Sequence, residues 1–237
     1  MICKLFVFRH AETTDNSREI FSGWRDSELT LKGLAQAREI AEQLKRYRID
    51  YAFTSHLRRA RKTLEIVLEA HPPVPVFMDD RLIERCYGLL QGRSKRRIAH
   101  ENPDWYAQIH RGYEFAPLDG ESLRMVEKRV LSFLKQLRDW LGQARGNVAI
   151  SCHSNSIRPT RRVFEHMNVK QMLQLESPQD CVIIYDLHLR NVSNESSRGR
   201  GAKLNWKGIV TSRKVRLATD TRNRGVCTIQ FRLFFGV

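Results

Sequence analysis

Four short apolar runs in this chain each end in residues that could do chemistry. Ile2–Phe8 runs into Arg9-His10-Ala11-Glu12-Thr13, with Asn16 just beyond. Asp50–Thr54 runs into Ser55-His56-Leu57-Arg58-Arg59-Ala60, and Pro75–Met78 is soon followed by Arg81-Leu82-Ile83-Glu84-Arg85. Asn147–Ser151 leads to His153-Ser154-Asn155-Ser156. Together the four ends would deliver two histidines, at least two arginines and a carboxylate into one crevice, a set suited to phosphoryl transfer. Guanidinium groups bind phosphate oxygens bidentately. An unprotonated imidazole held in line can attack phosphorus, in a transition state that asks mainly for positioning and charge stabilisation. A carboxylic acid can protonate the leaving oxygen. No metal is required where cations already surround the phosphate. A single histidine after a strand is more often structural, so the ordered combination carries the argument.

The runs themselves predict the scaffold. Each is short and rich in strand formers, and helical patterns lie between them. Thr30 can cap a helix through Ile40 to about Tyr47, with Leu34, Ala37, Ala41 and Leu44 on one face. His56–Ala70 repeats the pattern with Leu57, Ala60, Leu64 and Val67. A long helix starts near Ser122, with Leu123, Val126, Val130, Phe133, Leu137 and Trp140 in a stripe. Asn147–Ser151 is followed by another helix through about His166, and Cys181–Leu187 reads as a last core strand. Such alternation predicts an α/β fold, a three-layer α/β/α sandwich around a mostly parallel sheet. Ligands bind such sheets at the carboxyl ends of the strands, where the chemical residues fall.

Composition agrees with one catalytic domain and an appendage. Apolar residues make up 41% of the 237, enough for a core, and no apolar run is long enough to span a bilayer. Ile2–Phe8 lacks the basic start and cleavage site of a signal peptide, so a cytoplasmic protein without a membrane partner is expected. The five cysteines are scattered and form no CxxC, which argues against a zinc site or a disulfide framework. The net charge is +15, and residues 190–237 hold eleven Lys/Arg against two acids. Residues 1–190 are read as the catalytic domain and 191–237 as a basic extension. A polyanion contact through that extension is an alternative role, although no aromatic-interleaved binding motif accompanies the charge. Cys227–Phe235 is its most strand-like piece.

Taken in order, these motifs resemble the histidine phosphatase superfamily, the phosphoglycerate-mutase-like fold. The resemblance rests on Arg9-His10-Ala11-Glu12-Thr13 with Asn16, Leu29-Thr30 with Gly33 and Gln36-Ala37, Ser55 through Thr63, and Glu84-Arg85-Cys86-Tyr87-Gly88 with Gln91-Gly92. Gly120-Glu121-Ser122 and Cys152-His153-Ser154-Asn155 complete it. It implies His10 as nucleophile, and Arg9, Arg59 and His153 around the transferred phosphoryl group with help from Asn16. It implies Glu84 as general acid and then base. Ser22, Gly23, Tyr87 and Lys95 match residues that touch the rest of the substrate in the phosphoglycerate mutases. The resemblance also implies a small phosphorylated substrate, no metal, 2,3-bisphosphoglycerate as primer if the chain is a mutase, and a homodimer as one assembly. Ala11 and Ser154 stand where the family has glycine. If the first position needs positive φ, alanine there costs about 1 kcal/mol. The stretch from Lys95 to His153 is shorter than in the mutases, whose insertion carries an arginine pair and a lid, so hydrolysis is expected over mutase activity.

Overall fold

The computed structural model describes residues 2–188 and the backbone of 210–216. Its sheet is built from β1 (Ile2–Arg9), β2 (Tyr51–Thr54), β3 (Val76–Met78), β4 (Val148–Cys152), β5 (Val182–His188) and β6 (Val210–Arg216). The strand order is β3-β2-β4-β1-β5-β6. The first four strands in that order run parallel, and β5 and β6 are antiparallel additions. The expected mostly parallel α/β/α sandwich is therefore present.

Alternation along the strands fills both faces, as a two-fold side-chain period requires. Leu5 and Val7 of β1 join Val148 and Ile150 of β4 in one core cluster. Phe6 and Phe8 join Ala52 and Ala149 in a cluster on the other. The first cluster is covered by α6 (Leu123–Ala144) and α7 (Ser154–Phe164), the second by α2 (Leu31–Leu44) and α3 (Arg58–Leu68). Thr30 caps α2 as expected, its hydroxyl accepting from Gly33 N, and Ser122 caps α6 through Met125 N. The stripe of α2 differs by one position. Gly33, Ala37, Ile40 and Leu44 are buried, while Leu34 and Ala41 lie at its margin. Ile40 packs with Phe6 and Phe8, and Gly33 meets the Glu12 carbonyl, where a Cβ would stand 2.1 Å from the oxygen.

Between β3 and α6 the chain forms two short helices, α4 (Lys95–Glu101) and α5 (Pro103–Arg111). Ser94 caps the first, and Asn102 caps the second ahead of Pro103, which suits a position with no N–H to satisfy. Ile98 and Ile109 pack with Phe21, Tyr87 and Leu90 in a satellite core beside the sheet ends. Short helices α1 (Thr14–Ser17) and α8 (Val169–Leu173) and the 3-10 turns Asp80–Leu82 and Gly88–Leu90 complete the elements among the described residues.

The C-terminal extension contributes β6, which pairs with β5 from Val182↔Arg216 to Leu187↔Val210. The sequence pattern did not identify that strand, and Cys227–Phe235 lies outside the described residues. Cys3, Cys86, Cys152 and Cys181 are buried free thiols. No helix among the described residues is long and apolar enough to cross a membrane.

Candidate active site

The carboxyl ends of β1 and β4, the start of α3 and the segment after β3 meet above the sheet. His10, immediately after β1, is 2% exposed, and its Nδ1 lies 2.8 Å from Ala11 O. A carbonyl oxygen only accepts, so Nδ1 carries the proton and Nε2 carries the lone pair. Arg59 Nε donates to that Nε2 at 3.3 Å. Burial, then the Arg59 and Arg9 guanidinium groups, push the His10 imidazole well below its ordinary range, which keeps it neutral and nucleophilic.

His153 is the residue before α7 and is fully buried. Its Nε2 lies 2.8 Å from Ser55 Oγ, and the His10 and His153 rings are 5.1 Å apart. Burial first, and Arg59 second, also lower His153 strongly. Its Nδ1 and Arg9 Nε are buried without a hydrogen-bond partner among the described residues. Unmet buried polar atoms are costly, and a phosphoryl oxygen is a fitting acceptor for the Arg9 Nε–H, and for His153 Nδ1 when Ser55 Oγ donates to Nε2. Arg9 also donates to Ser177 O at 3.1 Å. Arg59 is 1% exposed and directs its terminal nitrogens to Gly23 O and Arg25 O, both at 2.7 Å. Arg58, Arg61 and Lys62 on the same helix face solvent, so only Arg59 reaches the site.

Glu84 is 7% exposed and occupies irregular backbone after the short turn Asp80–Leu82. Its Oε1 accepts from Arg85 N at 2.8 Å and from Asn155 N, in the first turn of α7, at 3.3 Å. Both described bonds use one oxygen, which leaves the other for proton transfer. The carbonyl of Glu84 is held by Trp24 Nε1 at 2.7 Å.

The remaining expected residues fall around this centre. Asn16 Oδ1 accepts from Gln179 Nε2 and Thr13 N, so its amide nitrogen is the atom to turn toward a ligand. Gly23 adopts φ +55°, where a Cβ would stand 2.1 Å from Gln91 Oε1. Ser22 is half-buried beside it. Tyr87 OH accepts from Asn155 Nδ2 at 3.2 Å. Lys95 Nζ lies 5.5 Å from the Phe21 ring centroid, and burial and Arg9 push its ammonium down.

Two expectations need correction. Arg81 was counted among residues that strand ends send toward the crevice, but it forks onto Asp79, two residues back, and reaches Gln136. Ala11 is not among the positive-φ residues, so it carries no such penalty; it packs with Ala37 and Ile66 while its N–H donates to Thr63 Oγ1 at 3.0 Å. Ser154 is the first residue of α7. The sequence reading gave no role to Ser55, Trp24, Asn155, Arg158 or Gln179. Ser55 and Asn155 lie inside the Ser55–Thr63 and Cys152–Asn155 motifs, and their polar side chains and proximity in sequence to the site residues are the signal for them. Nothing local pointed to Gln179. Arg158 donates to Asn155 Oδ1 at 2.6 Å and to Leu175 O. Among the described residues no group of three or more His, Cys, Asp and Glu side chains could hold a metal ion.

Comparison with known proteins agrees with this geometry. The family model "Histidine phosphatase superfamily (branch 1)" matches residues 5–195. A 2,3-bisphosphoglycerate-dependent phosphoglycerate mutase of Methylobacterium radiotolerans is 35% identical over 191 residues, covering 78% of this chain and 89% of that one. Bacillus stearothermophilus YhfR superposes with a TM-score of 0.71 at 25% identity, over 78% of this chain and 92% of its own. A mycobacterial glucosyl-3-phosphoglycerate phosphatase does so at 0.67 and 25%, over 77% and 92%. On the family model over residues 5–195 and a relative at 35% identity, the chain belongs to the histidine phosphatase superfamily, branch 1.

Proposed function

We propose that the protein hydrolyses a small phosphate monoester through a phosphohistidine on His10. The observation that carries the reading is the His10 tautomer: Nδ1 is tied to Ala11 O, and Nε2 presents its lone pair beside Arg59. In the first step Nε2 attacks phosphorus and the ester P–O bond breaks. The leaving oxygen takes the proton of the Glu84 carboxyl. In the second step water attacks the phosphohistidine, Glu84 takes a proton from that water, and the N–P bond breaks to release phosphate. Arg9, Arg59 and His153 neutralise the equatorial oxygens throughout. Water is the favoured acceptor because the Lys95–His153 stretch supplies only α4, α5 and a loop before α6. The single arginine of α5, Arg111, donates to Leu173 O and Glu176.

A second reading, phosphoglycerate mutase, is favoured by the groups beyond the phosphate. Tyr87, Asn155 and Arg158 are buried and linked, and Lys95 lies nearby, a polar and cationic wall fit for a second anionic group on the substrate. The mutase relative at 35% identity supports it too. The two readings share the phosphohistidine and differ in the acceptor. The test is incubation without added metal with p-nitrophenyl phosphate, and with 3-phosphoglycerate plus a trace of 2,3-bisphosphoglycerate. Phosphate release that vanishes in His10→Ala is the expected result. Formation of 2-phosphoglycerate would replace hydrolysis by the mutase reading. Turnover that persists in His10→Ala would end both.

A further inference from the structure

We propose that Arg129 and Glu121 act as a positioning pair for the carboxyl of Glu84, an inference that rests on the phosphohistidine reading and assigns a further part to the site. Residues 82–87 are buried yet belong mostly to no helix or strand. Such backbone needs partners from elsewhere for its N–H and C=O groups. Arg129, on α6, supplies several at once. Its NH1 donates to Arg81 O at 2.8 Å and Ile83 O at 2.7 Å, and its NH2 donates to Glu84 O at 3.1 Å. The same guanidinium is forked onto Glu121, with Nε to Oε1 at 2.9 Å and NH2 to Oε2 at 3.0 Å. Glu121 Oε2 in turn accepts from Cys86 N at 2.9 Å. Ion pair and backbone thus form one bracket from residue 81 to residue 86.

The bracket acts on the carboxyl through a single peptide plane. The Glu84 carbonyl and the Arg85 N–H belong to the same planar unit. Arg129 and Trp24 Nε1 both donate to that carbonyl, and the N–H on the opposite edge donates to Glu84 Oε1. Fixing the oxygen therefore fixes the direction of the N–H that holds the carboxyl. Loss of the bracket lets this plane turn and carries the acid away from the leaving oxygen, while His10, Arg59 and His153 keep their own hydrogen bonds, none of which involves Arg129 or Glu121. A lysine cannot replace Arg129, because its ammonium lacks the planar fork that serves three carbonyls and a carboxylate together. Arg85 provides the contrast. It is more deeply buried than Arg129, but its guanidinium bonds Ile109 O, Phe115 O and Glu121 O, and so it ties down α5 and the loop after it.

The test compares two substrates with the same phosphate and different need for an acid, p-nitrophenyl phosphate and phenyl phosphate, by kcat/KM. That ratio reports the step in which the leaving group departs. Arg129→Lys is expected to lose about 100-fold on phenyl phosphate, within the range of general acid catalysis, and far less on the nitrophenyl ester. Equal losses on both, or none, would overturn the proposal. A second readout needs no turnover: the Arg85 amide is expected to lose hydrogen-exchange protection in Arg129→Lys while neighbouring core amides of β1 and β4 keep theirs. Retained Arg85 protection would count against the bracket even if the protein had no activity on either ester. Should Arg129→Lys fail to fold, Glu121→Gln and the more exposed Trp24→Phe take its place. They are expected to show the same selective loss at smaller size, and equal losses on both esters would again overturn the proposal. Absence of His10-dependent turnover in the wild type, with Arg85 protection lost in the variant, would sink the proposed function and leave the bracket standing.

Discussion

On one side of the pocket, His10, Arg59 and His153 stand at the ends of β1 and β4 and on α3, with regular elements behind them. On the other, Glu84 stands on a buried stretch with almost no regular structure, held by Arg129, Trp24, Glu121 and Asn155 from four other parts of the chain. The first side obtains its precision from sheet register: Arg9 pairs with Cys152, so the two histidines follow adjacent parallel strands at the same level. The second obtains it from long side chains that cross the structure. A strand end is set by many ladder bonds at once, whereas an irregular segment is only as fixed as its few individual brackets. The nucleophile side should therefore tolerate remote substitutions, and the acid side should not.

The largest effect expected is on the nucleophile. His10→Ala should lower phosphate release by about 10⁴-fold or more, as steady-state assays would read. Residual activity within tenfold of wild type would place the chemistry elsewhere. Glu84→Gln keeps the shape and removes the proton, so a loss of about 10²- to 10³-fold is expected. That loss should be steeper for poor leaving groups, which separates the two sides directly.

Smaller effects probe the supports. Ser55→Ala leaves His153 Nε2 without its partner in a fully buried place, at a cost of about 1–3 kcal/mol in stability by denaturant titration. Phosphate affinity should fall with it. Gly23→Ala meets both the +55° φ and the Gln91 side chain. About 1–2 kcal/mol of destabilisation is expected, with weaker substrate binding, because Gly23 O is an acceptor for Arg59.

The mildest handle is pH. Burial, then Arg111, push His110 down to about 4, and His10 and His153 are lowered too. Below the ordinary imidazole value of about 6.5 the unfolded chain binds more protons at these sites than the folded one. Stability is therefore fully present above that pH and falls as the pH drops toward the folded values. Melting temperature should decline from pH 7 to pH 5, and His110→Gln should flatten the decline. An unchanged slope would show that His110 ionises as freely in the fold as out of it.

The nucleophile side was legible from the sequence because its residues sit next to the strands that place them. Strand, turn and helix signals fixed where His10, Arg59 and His153 would emerge, and adjacency in a parallel sheet followed. Arg81 misled, since position after a strand does not say which way a long side chain turns, and Asp79 two residues away captured it. The stripe on α2 shifted because packing against Phe6 and Phe8 selected Ile40 over its neighbours. In the basic extension, β6 carries no pattern strong enough to stand out, and pairing with β5 supplies its order.

By itself the sequence determined the candidate chemical groups and the elements that carry them, because residue type and two short periodicities encode both. Only the tertiary structure decided how those groups are tuned. The Arg59 contact at His10 Nε2, the Ser55 partner of His153, the harmless Ala11 and the bracket of Arg129 and Glu121 around Glu84 all depend on contacts between elements distant in the chain. Local patterns cannot specify them, since hydrogen bonds and burial are set by what arrives from elsewhere when the core closes.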